Sequence, residues 1–384
     1  MPRFESCRRF ELQVWTGYTA YYEVDMAYFR ALPNLHKMLE MFSREQRWLI
    51  LIVADPDAMA SAMALKRIMS RRVQEAVIAK TNPVTRPDNL AMKRYTRLKM
   101  PQFDPGMLSH FDAFAMVDSQ PHHNPVFKDI PFSIIIDHHP LPETPYPAKY
   151  RDIRPQYGAT STLMTEYLYN LNIRPGKLLA TALQFGIKTD TNSFERHFFD
   201  VDLRAYQYLN RFADHVLLSR IARSEFHLHW LDTFAKACTN LYGMGESGQY
   251  VFVGEVDNPD ILVNIADFFM RVYEIRWAAV AGQYGGTAVV IFRGDGISCD
   301  VGLYASQVFS EIGSAGGHKV MARAEFPVAA ADGAELEMFI WKRLTSTALL
   351  RNKYRRSKSK PPARIEAPHQ PPEGAQISGS TVVN

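Results

Sequence analysis

The sequence predicts an α/β chain, with a parallel-sheet N-terminal domain and a smaller α/β C-terminal domain joined by a helical connector. Three observations predict it. From residue 48 onward, short apolar runs alternate with amphipathic stretches, the pattern of strands linked by crossover helices. The run Phe132-Ser133-Ile134-Ile135-Ile136 is short and rich in β-branched residues, which suits a strand buried in a parallel sheet. The acidic residues and histidines gather where such runs end, at Asp55, Asp57, Asp118, Asp137-His138-His139 and Asp190. In open α/β sheets the carboxyl ends of strands are where ligands bind.

The elements follow in order. Residues 1–45 form an extension with several aromatics and a helical stretch at 31–42. A strand at 48–53 leads into an Ala-, Met- and Leu-rich helix at 58–71. Strands are expected at 76–79, 113–117 and 132–136, and helices at 160–171 and 178–187. Residues 205–236 read as a helical connector from the 46–204 domain. The second unit, 237–348, has strands at 250–256, 277–282, 287–292 and 324–328. Its helices are expected at 261–273 and 333–349, with a strand end running into a helix at 303–312. Beyond residue 349 lie Pro361, Pro362, Pro368, Pro371 and Pro372 among Ser, Gly and Gln, a disordered composition.

The chain has 384 residues, 47% hydrophobic and 22% charged, ordinary values for a globular protein large enough for two cores. No apolar run reaches the length of a membrane span, and the charged start leads into no secretory core. Cys7, Cys238 and Cys299 are too scattered for a disulfide framework or a zinc site, so a cytoplasmic protein without membrane contact is expected. The tail from Leu349 holds seven Lys or Arg against two Glu. It therefore carries the positive charge, and the remainder is close to neutral. A near-neutral body argues against long duplex DNA, which needs a basic groove.

Each acidic position alone has an ordinary reading. Asp57 could be a helix cap, Asp118 a turn residue, and Asp190 part of an Asx turn. Together, carboxylates and imidazoles at strand and helix ends form a donor set suited to Mn²⁺, with Mg²⁺, Co²⁺ or Zn²⁺ as alternatives. Two such ions about 3.5–4 Å apart can clamp a phosphate and activate water.

These motifs resemble the DHH phosphoesterase superfamily. Its first motif, H-x-x-P-D-x-D-A, aligns with Leu51-Ile52-Val53-Ala54-Asp55-Pro56-Asp57-Ala58. The second is Asp118, and the third is Asp137-His138-His139. The fourth lies within Gly186-Ile187-Lys188-Thr189-Asp190-Thr191-Asn192-Ser193-Phe194. Val290-Ile291-Phe292-Arg293 and the later Gly316-Gly317-His318-Lys319 resemble the companion domain, which ends in a glycine-rich turn. The nearest branch is that of oligoribonucleases and phosphoadenosine-phosphate phosphatases. The resemblance implies that Asp57, Asp118, His138 and Asp190 hold one metal ion, and that Asp55 holds a second with Asp118 bridging. It implies that His139 sits beside the phosphate or supports a metal ligand from behind, and that Gly316, Gly317, His318 and Arg293 lie on the substrate. The implied partner is short single-stranded RNA or a small nucleotide, and a homodimer is compatible with it.

The chain departs from the family at two positions. Leu51 replaces the first-motif histidine, and Ala54 replaces the proline. Three outcomes are open: a weakly held second metal, a substitute imidazole from His122 or His123, or lost catalysis with retained nucleotide binding as a sensor.

Overall fold

The computed structural model describes residues 28–346 except 145, 196, 197, 225 and 246. The first part of the predicted extension and the basic tail lie outside the described residues. Helix α1 (Leu35–Leu39) is shorter than expected, because Pro33 forbids a helix running through from 31. Strand β1 (Arg47–Ile52), helix α2 (Pro56–Met69) and strand β2 (Glu75–Lys80) follow. Helix α3 (Pro87–Thr96) escaped the sequence reading, although Pro87 in its first turn is a start signal. Strands β3 (Ala113–Val117), β4 (Phe132–Asp137) and β5 (Tyr150–Ile153) precede helices α4 (Thr160–Asn170) and α5 (Lys177–Asp190).

The first sheet has the order β2-β1-β3-β4-β5, with every neighbouring pair parallel. The order reverses direction between β1 and β3. That reversal opens a crevice beyond the strands' carboxyl ends. Alternate side chains serve opposite faces. Ile50 and Ile52 pack with residues of α2, α4 and α5, while Leu49 and Leu51 pack with Met116, Phe127 and Ile135 on the other face.

The connector is not one continuous helical stretch. It divides into α6 (Asp200–Asn210), α7 (His215–Ala222) and α8 (Trp230–Thr239). Asp214 stops the chain and caps α7, accepting the Leu217 N–H at 2.9 Å. Helices α6 and α7 pack on α5, and α8 packs on the second sheet.

The second unit contains β6 (Tyr242–Met244), β7 (Gly248–Glu255), α9 (Asp260–Phe269), β8 (Trp277–Tyr284) and β9 (Thr287–Gly294). It continues with α10 (Val301–Phe309), β10 (Ser314–His318), β11 (Met321–Pro327) and α11 (Leu336–Ser346). Its sheet order is β10-β11-β9-β8-β7-β6, antiparallel except for β7 with β8. Two expectations are corrected here. The segment expected to begin as a strand at 303 is helix α10, and the glycine-rich turn is the edge strand β10. Gly317 can pair there because it has no Cβ. A Cβ would sit 2.3 Å from the Met321 carbonyl oxygen, and φ is +151°. Helices α10 and α11 cover one face of this sheet, and α8 and α9 cover the other. The Thr85 hydroxyl donates to Asp260 Oδ2 at 3.1 Å, linking the two units. Among the described residues, no helix is long and apolar enough to cross a membrane.

Candidate metal centre

Asp55 closes the turn after β1. Its Oδ1 accepts the Ala58 N–H at 2.8 Å and so caps α2, with Pro56 in the first turn. Ala54, where the family pattern has proline, keeps an N–H, and Asn82 Oδ1 accepts it at 2.5 Å. Asn82 Nδ2 returns a bond to the Ala54 carbonyl at 3.1 Å. The turn is therefore braced by a side chain rather than by a ring.

Asp57 is fully buried in the first turn of α2. Its two oxygens accept the amides of Thr160 at 2.6 Å and Ser161 at 2.7 Å, the opening residues of α4. Two helix N-termini thus converge on one carboxylate. Gly186 of α5 permits this approach, since a Cβ there would lie 2.5 Å from Ser161 Oγ. Asp118 follows β3 with φ of +59°, a costly backbone for a non-glycine residue. Thr160 Oγ1 donates to its Oδ1 at 2.8 Å. Asp190 sits in the last turn of α5, where the helix dipole disfavours an anion. Its placement serves the centre rather than the helix.

His138 Nδ1 lies 3.1 Å from the Tyr157 carbonyl. That contact turns Nε2 toward the acids, 3.2 Å from Asp190 Oδ2 and 3.6 Å from Asp118 Oδ1. Nε2 is buried and makes no aligned hydrogen bond. The ligand atoms of Asp57, Asp118, His138 and Asp190 all lie within 4.8 Å of one another. This donor set of three carboxylates and an imidazole nitrogen without an aligned hydrogen bond fits a divalent cation.

The electrostatics agree. Burial, then the Asp190 charge, pushes the Asp55 carboxyl up to about 7. The same two causes push Asp57 to about 6. Burial and the charges of Asp57 and Asp55 hold Asp118 well above the ordinary range. Burial alone would lower His138, but the Asp190 and Asp57 carboxylates beside it raise it to about 9. Without a cation, protons must supply the compensating charge.

His139 is held differently. Its Nδ1 donates to Asp137 Oδ1 at 2.8 Å, and that hydrogen bond to Asp137 raises its proton affinity. Gln120 Nε2 fixes the other Asp137 oxygen at 2.7 Å.

The structure brings the ligand atoms of Asp57, Asp118, His138 and Asp190 together, groups Asp118, His138 and His139 in an overlapping set, and places Asp55 within reach of the Asp190 and Asp57 charges. It brings neither His122 nor His123 into that group. His123 Nδ1 accepts the Gln120 N–H at 3.2 Å, and the ring lies near Asp137 and His139 instead. Leu51 is fully buried and apolar in its contacts. Arg293, Gly316, Gly317 and His318 lie on the second sheet, where Arg293 is level with Met321 and Met321 with His318 across neighbouring strands. Arg293 Nε donates to Asp267 Oδ1 at 2.6 Å, so that guanidinium is already partly engaged.

Sequence reasoning missed Thr160, Asn82, Gln120 and Asp202. Asp202 accepts the Gly158 amide at 2.9 Å and the Thr162 hydroxyl at 2.6 Å, supporting the loop that positions His138. These residues act across 17 to 103 positions of sequence, so no local pattern marks them.

Comparison with known families matches residues 49–187 to the DHH family, N-terminal domain. The chain carries a DHH domain. That span holds most of β1, β2 to β5, α2 to α4 and most of α5, and every ligand candidate except Asp190. The chain is 32% identical over 299 residues to an uncharacterized protein of Methanocaldococcus jannaschii, an alignment that takes in 76% of this chain. The chain spans only 60% of that relative's length. An exopolyphosphatase-related protein from Bacteroides fragilis shares the fold, with a TM-score of 0.59 at 14% identity, over 81% of this chain and 94% of that one. The two-sheet architecture that carries this DHH domain therefore recurs in a solved structure.

Proposed function

We propose that this chain is a divalent-metal-dependent phosphoester hydrolase acting on short single-stranded oligoribonucleotides or small nucleotides. One observation carries the reading: four ligand atoms from Asp57, Asp118, His138 and Asp190 lie within 4.8 Å of one another, and one of them is a buried imidazole nitrogen with no aligned partner. Asp57, Asp118, His138 and Asp190 would hold one ion, with Mn²⁺ best suited and Mg²⁺ or Co²⁺ as alternatives. Asp55, with Asp118, would hold a second ion more weakly because Leu51 contributes no nitrogen. When bound, a divalent cation supplies charge for phosphoryl oxygens and lowers the proton affinity of water.

The chain's own groups do the positioning. Thr160 and the first amides of α4 hold Asp118 and Asp57 in register. Asp137 keeps a proton on His139 Nδ1, which suits that imidazolium to bind a phosphate oxygen and to protonate a leaving oxygen. Gly316, Gly317, His318 and Arg293 are placed in this reading on the remainder of the substrate, with Arg293 exchanging Asp267 for a phosphate.

Leu51 favours a second reading, a nucleotide sensor that no longer turns over. Metal content separates the two, with two ions per chain expected of the enzyme and none of the sensor. The test is hydrolysis of di- to pentanucleotide RNA, phosphoadenosine phosphate and cyclic di-AMP with Mn²⁺, using Asp118→Ala as control. Turnover that vanishes in the control supports the enzyme. Nucleotide binding without turnover of any of them overturns it.

A further inference from the structure

A cavity of about 880 Å³ opens at the far end of α2 from Asp57. The helix has 14 residues, so its two ends are about 21 Å apart at 1.5 Å per residue. This cavity is on the amino-terminal side of the sheet, away from the metal centre. Lys66, Arg67, Arg71, Arg97, Lys99 and Arg174 surround it, all exposed. Among the described residues, none of these six has a carboxylate within ion-pair distance. The one acidic side chain on the wall, Glu75, is paired with Arg47 at 2.9 Å. The floor is apolar, formed in part by Met69, Ile78 and Leu179.

Basic residues at helix C-termini are favoured by the dipole, which accounts for Lys66 and Arg67 in the last turn of α2 and for Arg97 at the end of α3. Arg174 has no such account. It stands two residues before Gly176, the N-cap of α5, at the end of the helix that repels cations. Lys177 beside it is compensated by Asp214 at 3.6 Å, but Arg174 is not. Gly176 offers no side-chain cap, so the first amides of α5 add to the positive field. Arg71 and Arg97 also hold left-handed backbones, with φ of +66° and +58°, at positions where glycine is usual. Six uncompensated cations around one cavity repel each other, and an anion relieves that repulsion.

The chemistry narrows the anion. Four of the six are arginines, whose planar forks match phosphate oxygens. An apolar floor under a cationic rim suits a molecule with a flat apolar part and several phosphates, and the volume lies in the range of small-molecule sites. We propose that this cavity is a second, non-catalytic site that binds a nucleotide by its phosphates. It is independent of hydrolysis at the metal centre, so a chain without turnover would retain it.

The experiment uses the full chain in EDTA with an ATP analogue carrying a fluorescent group on the ribose, read by anisotropy. The dissociation constant is expected to rise at least about tenfold in Arg71→Glu with Arg174→Glu, as expected for lost phosphate contacts, and to be unchanged in Asp118→Ala. Arg71→Gln with Arg174→Gln gives the same direction should the double reversal fail to fold, which circular dichroism reports. Unchanged affinity in the folded charge variants overturns the proposal, and so does loss of binding in Asp118→Ala. A short RNA that binds far more tightly than ATP and depends on the same arginines also overturns it, in favour of a nucleic-acid backbone.

Discussion

The Thr160 hydroxyl donates to Asp118 Oδ1 at 2.8 Å, while the Thr160 amide donates to Asp57 Oδ2 at 2.6 Å. A single residue at the start of α4 therefore orients two carboxylates that follow two different strands. Asp118 needs this support, because its left-handed backbone costs on the order of 1–3 kcal/mol unless its surroundings hold it.

Replacing Thr160 by valine keeps the shape and the amide but removes the hydroxyl. Groups that orient metal ligands are worth about 10–100-fold in affinity, so Thr160→Val should weaken Mn²⁺ binding by that order in calorimetric titration. Thr160→Ser should restore it. Wild-type affinity in the valine variant would mean that Asp118 is not a ligand.

Stability of the metal-free chain should fall as pH rises. Asp55 and Asp57 titrate near 7 and 6 in the folded chain, against 3.8 unfolded. Between those values the folded state binds more protons, so each such group loses its advantage as pH climbs from about 4 to about 7. His138, raised from 6.5 to about 9, extends the decline to about pH 9. A tenfold change in proton affinity corresponds to about 1.4 kcal/mol. Thermal melts in EDTA should show Tm falling from pH 5 to pH 8, and Mn²⁺ should remove most of that fall. A flat profile in EDTA would contradict the crowding of carboxylates.

Asp118→Asn separates stability from function. The amide can keep the Thr160 bond and removes a buried charge, which is costly when unpaired. In EDTA at pH 8 this variant should melt above the wild type, and Mn²⁺ should add less stability than it does to the wild type. A variant that melts lower and still gains fully from Mn²⁺ would place the ion elsewhere.

Leu51→His tests the missing ligand. Leu51 lies among Leu49, Met116 and Ile135, so an unpaired imidazole there should cost about 1–3 kcal/mol without metal. If residue 51 borders the centre, Mn²⁺ should recover more stability in this variant than in the wild type. An equal loss with and without Mn²⁺ would show that position 51 faces only the apolar layer.

The sequence by itself determined the fold class, the main strands and the acidic residues at their ends. Hydrophobic period and β-branching are local properties, so β3 was legible at both ends and β4 within a residue. Elements without a strong period, α3, β5 and β10, were not legible, and the connector divides because α6 and α7 pack on α5 while α8 packs on the second sheet. Only the tertiary structure decided which carboxylates meet. The strand order places β1 beside β3, so Asp57 and Asp118 share a crevice. The missing Cβ of Gly186 lets α5 approach Asp57 closely enough to deliver Asp190. Thr160, Asn82 and Asp202 became visible only there, because a hydrogen bond between residues far apart in sequence leaves no periodic trace. The same holds for the basic cavity, whose six cations come from three separate stretches of chain and meet only when α2, α3 and α5 pack together.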